Sequence, residues 1–251
     1  MKYVSIDIET TGLDPTKCQV LEIGAIIDDF ETPVEALPRF RALIKHKEIH
    51  GEPYAMFMHA KSGLLESIAR IPALRVAGLC NLGLTPETCM FNPTDVVPAF
   101  LQFLQHNGIN EALEPAGKNF FGFDKPFLEL NVPNWKSDVK IRHRAIDAGN
   151  LFWKPGKEYL PDSKTVKERT GSDRPVAHTA LDDALDVVIA VRDHKRTLEK
   201  TANDLEKFGK FVEAFGYLQA ALHPTLHVSS DPFEMAQAIV RYVKEPLPGE
   251  N

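Results

Sequence analysis

The chain has 251 residues, 43% of them hydrophobic and 25% charged, with a net charge of −6. This is ordinary globular usage: it excludes a disordered, collagenous or low-complexity protein, and a chain this long can bury a core without staples. Three scattered cysteines, Cys18, Cys80 and Cys89, make no disulfide framework, and no apolar run approaches a membrane span, so a soluble, cytoplasmic protein that makes no contact with membranes is expected. The negative balance argues against coating nucleic acid electrostatically. The charge is uneven, however: Lys136–Arg174 holds ten Lys/Arg against six Asp/Glu, a basic flank beside an acidic body.

In chain order, Lys2–Glu9 alternates Val4, Ile6 and Ile8 with Tyr3, Ser5, Asp7 and Glu9, a period of two that predicts a strand. Thr10–Pro15 reads as a turn, and Cys18–Ile27 and Arg39–Ile44 complete a three-stranded meander. Tyr54–Ile71 is expected to be helical despite Gly63, Pro72–Phe91 to be an irregular excursion, and Asp95–Asn107 to be a helix. Pro115–Phe123 reads as a short strand that meets a helix over Phe127–Asn131 beginning at Asp124, where Pro126 is tolerated in the first turn. Lys140–Ala148 is the expected fifth strand, Ser163–Thr170 a short helix and Gly171–Ala177 a loop. A strong helix from Ala180 to Lys195 is followed by helical patterns over Thr197–Leu222 and Pro232–Val243. Strands first, then strands alternating with helices, predict an α/β fold: a mixed five-stranded sheet flanked by helices, with a domain over 1–195 and a C-terminal helical extension over 196–251.

Chemistry concentrates at three places. Asp7 and Glu9, two apart on a strand, leave the same face near its C-terminal end, where crevices of open α/β sheets lie. Paired carboxylates repel and resist burial unless a cation compensates, and oxygen ligands suit Mg²⁺ or Mn²⁺. An edge strand with its charges in water is the competing explanation, weakened by a Thr10-Thr11-Gly12 turn able to present backbone amides beside the carboxylates. Asp124 stands where a strand meets a helix, as an N-cap or as a crevice residue. Thr179-Ala180-Leu181-Asp182 fits a capping box, which leaves His178 on the loop outside the helix. Asp182, Asp186 and Asp193 share one helical face, expected to be solvated. Asp183 instead aligns with Ala180, Val187 and Ala190, a small apolar stripe facing the sheet, and an inward carboxylate there needs a reason beyond the helix dipole. His46 and His50 lack partners for a zinc site, the Phe120/Phe121/Phe123 cluster reads as core, and no phosphate-binding glycine loop or nucleophile elbow is present.

Ile6-Asp7-Ile8-Glu9-Thr10-Thr11-Gly12-Leu13, Asn119-x4-Asp124-x2-Phe127-Leu128 and His178-x4-Asp183, in this order, resemble the DEDDh 3′→5′ exonucleases over residues 1–195. That superfamily has an RNase H-like fold and includes polymerase proofreading exonucleases, RNase T and oligoribonuclease. The resemblance implies that Asp7, Glu9, Asp124 and Asp183 bind two divalent cations, Mg²⁺ or Mn²⁺, and that His178 is the general base. It also implies that backbone groups near Thr10 and the side chain of Leu13 hold the terminal nucleotide, while Asp147 remains structural. The implied reaction is two-metal hydrolysis of the terminal phosphodiester of a single-stranded nucleic acid 3′ end, releasing a nucleoside 5′-monophosphate. DNA is put ahead of RNA as substrate. An RNA-trimming or oligoribonuclease-type enzyme is the alternative, and a non-catalytic nucleic-acid or protein-binding module on the same fold is a third reading. The basic 136–174 flank is a path for the remaining strand, and the C-terminal helices are where a homodimer or a polymerase partner would attach.

Overall fold

The computed structural model describes residues 1–70, 89–154, 156, 159–171 and 179–222. The chain divides into two compact units, Met1–His194 and Lys195–Asn251. In the first, β1 (Tyr3–Thr10), β2 (Val20–Asp28) and β3 (Arg39–Ile44) form an antiparallel meander. Helices α1 (Pro53–Lys61) and α2 (Leu64–Arg70) follow, then β4 (Cys89–Phe91), α3 (Pro93–His106), β5 (Pro115–Gly117), α4 (Asp124–Asn131), α5 (Trp135–Asp138), β6 (Ile146–Asp147), α6 (Ala148–Leu151) and α7 (Ser163–Thr170). The last described element is α8 (Ala180–Leu222), which starts in the first unit and ends at Leu222 of the second. The sheet order is β4-β3-β2-β1-β5-β6, with β4, β5 and β6 joined in parallel, so the architecture is a mixed α/β sheet flanked by helices.

The period-two pattern of β1 sorts the molecule into layers. Val4, Ile6 and Ile8 are buried in one cluster with Phe100 of α3, Phe127 of α4 and Trp135 of α5. Phe100 and Trp135 stack there with ring centroids 5.0 Å apart. Burial of each such side chain contributes about 1.5–3 kcal/mol. The alternate residues face α8: Tyr3 is clustered with Leu181, Ala184, Leu185 and Val188, and Ser5 Oγ donates to the Ala184 carbonyl at 2.8 Å. At the far end of this face, Arg192 pairs with the buried Asp28, its Nη2 2.6 Å from Oδ1 and its Nε 3.0 Å from Oδ2. Tyr3 Oη donates to the same Oδ2 at 2.7 Å.

Several expected elements change form. The sheet has six strands rather than five, because β4 pairs with β3 at the end of the Pro72–Phe91 segment; residues 71–88 of that segment lie outside the described residues. The expected strand over Lys140–Ala148 shrinks to Ile146–Asp147 plus a single bridge at Ile141. Arg142, His143 and Arg144 between them are exposed and bring no apolar side chain to bury. The strand expected over Pro115–Phe123 stops at Gly117, since the Asp147 carboxylate accepts the Asn119 N–H at 2.8 Å and Asn119 turns the chain at φ 56°. The helix over Tyr54–Ile71 is broken at Gly63, whose φ of 80° suits a residue without Cβ. Conversely, the helices expected at Ala180–Lys195 and Thr197–Leu222 are one, with no Gly or Pro at the join to interrupt it. The expected loop beyond Gly171 and the helix over Pro232–Val243 lie outside the described residues.

In the second unit, the described segment is helical. Lys195–Glu199 and Glu206–Lys210 pair one turn apart at 2.7 and 2.6 Å, and Leu198, Leu205, Phe208 and Phe211 are exposed. Among the described residues, no helix is long and apolar enough to cross a membrane.

Candidate metal centre

Register carries three carboxylates to one place. Asp7 lies opposite Gly24 and Glu9 opposite Glu22 on β2, all projecting toward the helix α8 face. The first turn of α8 begins as the capping pattern requires. The Asp182 N–H donates to Thr179 Oγ1 at 3.2 Å, and the Thr179 hydroxyl donates to Asp182 Oδ2 at 2.6 Å. That fixes the helix phase and turns Asp183 toward the sheet with Ala180, Val187 and Ala190, which are buried. Carboxylate oxygens of Asp7, Glu9 and Asp183 consequently lie within 4.8 Å of one another.

Asp124 arrives from another direction, as the first residue of α4, and is 3% exposed. It does not cap that helix with its side chain. Its own N–H and that of Ile8 hydrogen-bond to its carboxylate instead. Asp7, Asp124 and Asp183 line a common cavity of about 230 Å³, along with Lys118, Ser163, Lys167 and Asp186.

The electrostatics show what this assembly lacks. Burial, then the charges of Asp124, Asp183, Glu9 and Glu22, push the Asp7 carboxyl well above the ordinary carboxylate range. Glu9 is pushed up to about 8 by burial, then by Asp183, Glu22 and Asp124. Burial takes Asp124 to about 7, against the opposing pull of the two N–H groups. Each shift means that gathered like charges are held out of water without sufficient compensation. The donor set is all oxygen and hard, which suits Mg²⁺ or Mn²⁺ and disfavours thiolate- or imidazole-seeking ions. The residues present fit such a cation.

The neighbouring loop is held by its backbone. Thr10 is buried, and its hydroxyl donates to the Gly12 carbonyl at 2.7 Å. Leu13 is 74% exposed, and its N–H donates to Glu52 Oε1 at 3.2 Å just before α1, where Tyr54 and Phe57 are also exposed. His178 lies outside the described residues. The expected structural role is seen for Asp147, which accepts from Gly149 N at 2.7 Å; of the Phe120/Phe121/Phe123 cluster expected in the core, Phe120 is buried, Phe123 is half-buried and Phe121 is exposed. His46 Nε2 donates to the Val20 carbonyl at 2.7 Å.

One expectation fails. The face of Asp182, Asp186 and Asp193 is not open to water; all three are half-buried, and Asp186 Oδ2 lies 2.5 Å from Nζ of the buried Lys167 on α7. The phase of α8 does not reveal its neighbour, α7, which brings Lys167 to Asp186 on that face.

Three residues near the site went unnoticed in the sequence. Glu22 is fully buried behind Glu9, with Oε1 2.5 Å from Arg41 Nε. His59 of α1 is buried, its Nε2 2.7 Å from the Thr10 carbonyl and its Nδ1 3.9 Å from Glu9 Oε2. Lys167 is the third. Only for Glu22 was a signal available: a carboxylate inside the otherwise apolar Val20–Ile27 run.

No family model matches the chain. It is similar to the oligoribonuclease of Vibrio campbellii, 24% identical over 202 residues that cover 78% of this chain and 94% of that one. It is also similar to the oligoribonuclease of Yersinia pseudotuberculosis, 26% identical over 185 residues, 71% of this chain and 84% of the other. Among solved structures it is loosely similar to the Saccharomyces cerevisiae Pan2 pseudoubiquitin hydrolase–RNA exonuclease module in complex with AAGGA RNA. There the TM-score is 0.47 and the identity 16%, and the match spans 86% of this chain but 33% of that one. The match spans most of the length of both oligoribonucleases.

Proposed function

We propose that this chain is a metal-dependent 3′→5′ exonuclease of the DEDDh subtype that releases nucleoside 5′-monophosphates from the 3′ ends of short single-stranded RNA. The observation that carries the proposal is the convergence of Asp7, Glu9 and Asp183 within 4.8 Å, beside buried Asp124. RNA moves ahead of DNA because the curated relatives are named oligoribonucleases. Two divalent cations, Mg²⁺ or Mn²⁺, would supply charge stabilisation for the attacking and leaving oxygens. Asp7, Glu9, Asp124 and Asp183 would hold them. His178, five residues before the inward carboxylate that its motif pairs it with, takes the proton of the attacking water. The Thr10 backbone and the exposed Leu13 and Tyr54 offer the last nucleotide polar and apolar contacts. The catalytic work is assigned to residues 1–195. The extension joins two copies through the exposed Leu198, Leu205, Phe208 and Phe211, so Leu205→Glu should lower the sedimentation mass.

End-labelled single-stranded RNA, single-stranded DNA and duplex, each with Mg²⁺, Mn²⁺ or EDTA, test the reading. Stepwise shortening from the 3′ end, fastest on short RNA and abolished by EDTA, is expected. Full activity after rigorous metal removal, or nicking of a covalently closed single-stranded circle, overturns it.

A further inference from the structure

Asp183 belongs to α8, whereas Asp7 and Glu9 belong to β1, so the metal site exists only if the start of that helix rests at one height over the sheet. Two residues of β2 meet it there. Gly24 is the cross-strand partner of Asp7. A Cβ on Gly24 would lie 2.3 Å from the carbonyl carbon of Ala180 and 2.4 Å from its oxygen and from the Leu181 nitrogen, so the helix backbone rests directly on the sheet. Glu22, the cross-strand partner of Glu9, is fully buried on the same face. Its Oε1 is held by Arg41, its Oε2 is buried without a hydrogen-bond partner, and the N–H of Ala180 lies near enough to favour the charged carboxylate. The first N–H groups of a helix have no intrahelical acceptor and carry the positive end of its dipole, so a buried carboxylate aimed at them is an anchor.

A buried carboxylate behind a cluster of carboxylates is otherwise a poor choice. It adds to the repulsion on Asp7 and Glu9, and an apolar residue would fill the position at lower cost. The geometry points to Glu22 as a positioning residue: together with Gly24 it seats the first turn of α8 so that Asp183 closes the metal site over Asp7 and Glu9. Glu22 touches neither substrate nor metal in this role and acts through the helix backbone. The inference rests on the proposed metal-binding role of the three carboxylates.

Mn²⁺ titration of the full chain by calorimetry tests it, in wild type, Glu22→Gln and Glu22→Ala, with hydrogen exchange over the first turn of α8 as a second readout. Glutamine keeps an acceptor for the Ala180 N–H but no charge, whereas alanine keeps neither. Expected are Mn²⁺ affinity within about threefold of wild type for Glu22→Gln, a loss of tenfold or more for Glu22→Ala, and faster exchange of the first-turn amides in the alanine variant alone. Equal affinities in all three proteins, or an equal loss in both variants, overturns the positioning role, the latter because charge alone would then be what matters. Should Glu22→Ala not fold, Glu22→Gln against Glu22→Leu asks the same question. Wild type that binds no Mn²⁺, or binds it undiminished after Asp7→Asn, overturns the metal reading itself and is thereby distinguished from failure of the Glu22 assignment.

Discussion

Asp182 and Asp183 are adjacent in sequence and opposite in consequence. Asp182 shares a hydroxyl with Thr179 at the helix start, so Asp182→Asn should cost at most about 1 kcal/mol in thermal or urea unfolding and leave turnover nearly unchanged. Asp183→Asn removes a proposed metal ligand and should lower the rate by orders of magnitude in the same assay, while the metal-free melting point holds or rises because a like charge has gone. His178→Ala should keep Mn²⁺ binding and lose roughly 10²–10⁴ in rate, together with the limb of the pH–rate profile that belongs to the imidazole. A wild-type rate at neutral pH in that variant removes His178 from the mechanism. The inward direction of Asp183 was legible beforehand because helix phase is a property of the chain: a residue aligned with Ala180, Val187 and Ala190 leaves the helix on the side that those buried residues occupy. Glu22 was not, because its meaning depends on which residue of another strand stands opposite.

The elements around the site are held by close contacts rather than by their own propensities. Gly24→Ala should therefore be costly out of proportion to one methyl group. The Cβ overlaps backbone, which cannot swing aside, and destabilisation of about 1–3 kcal/mol is expected together with weaker Mn²⁺ binding. A melting point and a metal affinity both within error of wild type would show that the helix does not rest where described. At the other end of the same face, Arg192→Ala would leave the Asp28 carboxylate buried with only Tyr3 and the Phe30 N–H as donors. Burial pushes Asp28 up, and Arg192, Tyr3 and that N–H together bring it below the usual range. Removing one partner of a buried pair costs about 3–5 kcal/mol, which urea unfolding should show. Boundaries set by neighbours, such as the short β6 and the extra strand β4, escaped the sequence for the same reason: β6 pairs with only two residues of β5, and β4 exists because β3 offers it an edge.

For the molecule as a whole, the carboxylate cluster makes stability depend on pH. Glu9 rises from an ordinary 4.5 to about 8 and Asp124 from 3.8 to about 7, so between those limits the native state binds more protons than the unfolded chain. Stability of the metal-free protein then falls as pH rises through that window. Thermal melts in metal-free buffer from pH 5 to 8 should show the decline, and saturating Mg²⁺ or Mn²⁺ should flatten it. A melting point that climbs with pH in metal-free buffer would contradict the clustering.

By itself the sequence determined the α/β alternation, the two faces of β1, the capped start of α8 and the inward direction of Asp183. Each follows from local periodicity or hydrogen bonding within a few residues. The tertiary structure alone decided that Asp7, Glu9 and Asp183 come within 4.8 Å, that Asp124 shares one cavity with Asp7 and Asp183, and that Glu22, His59 and Lys167 stand around them. Those facts depend on strand register and on one helix resting over one glycine, which brings Ala180 onto Gly24.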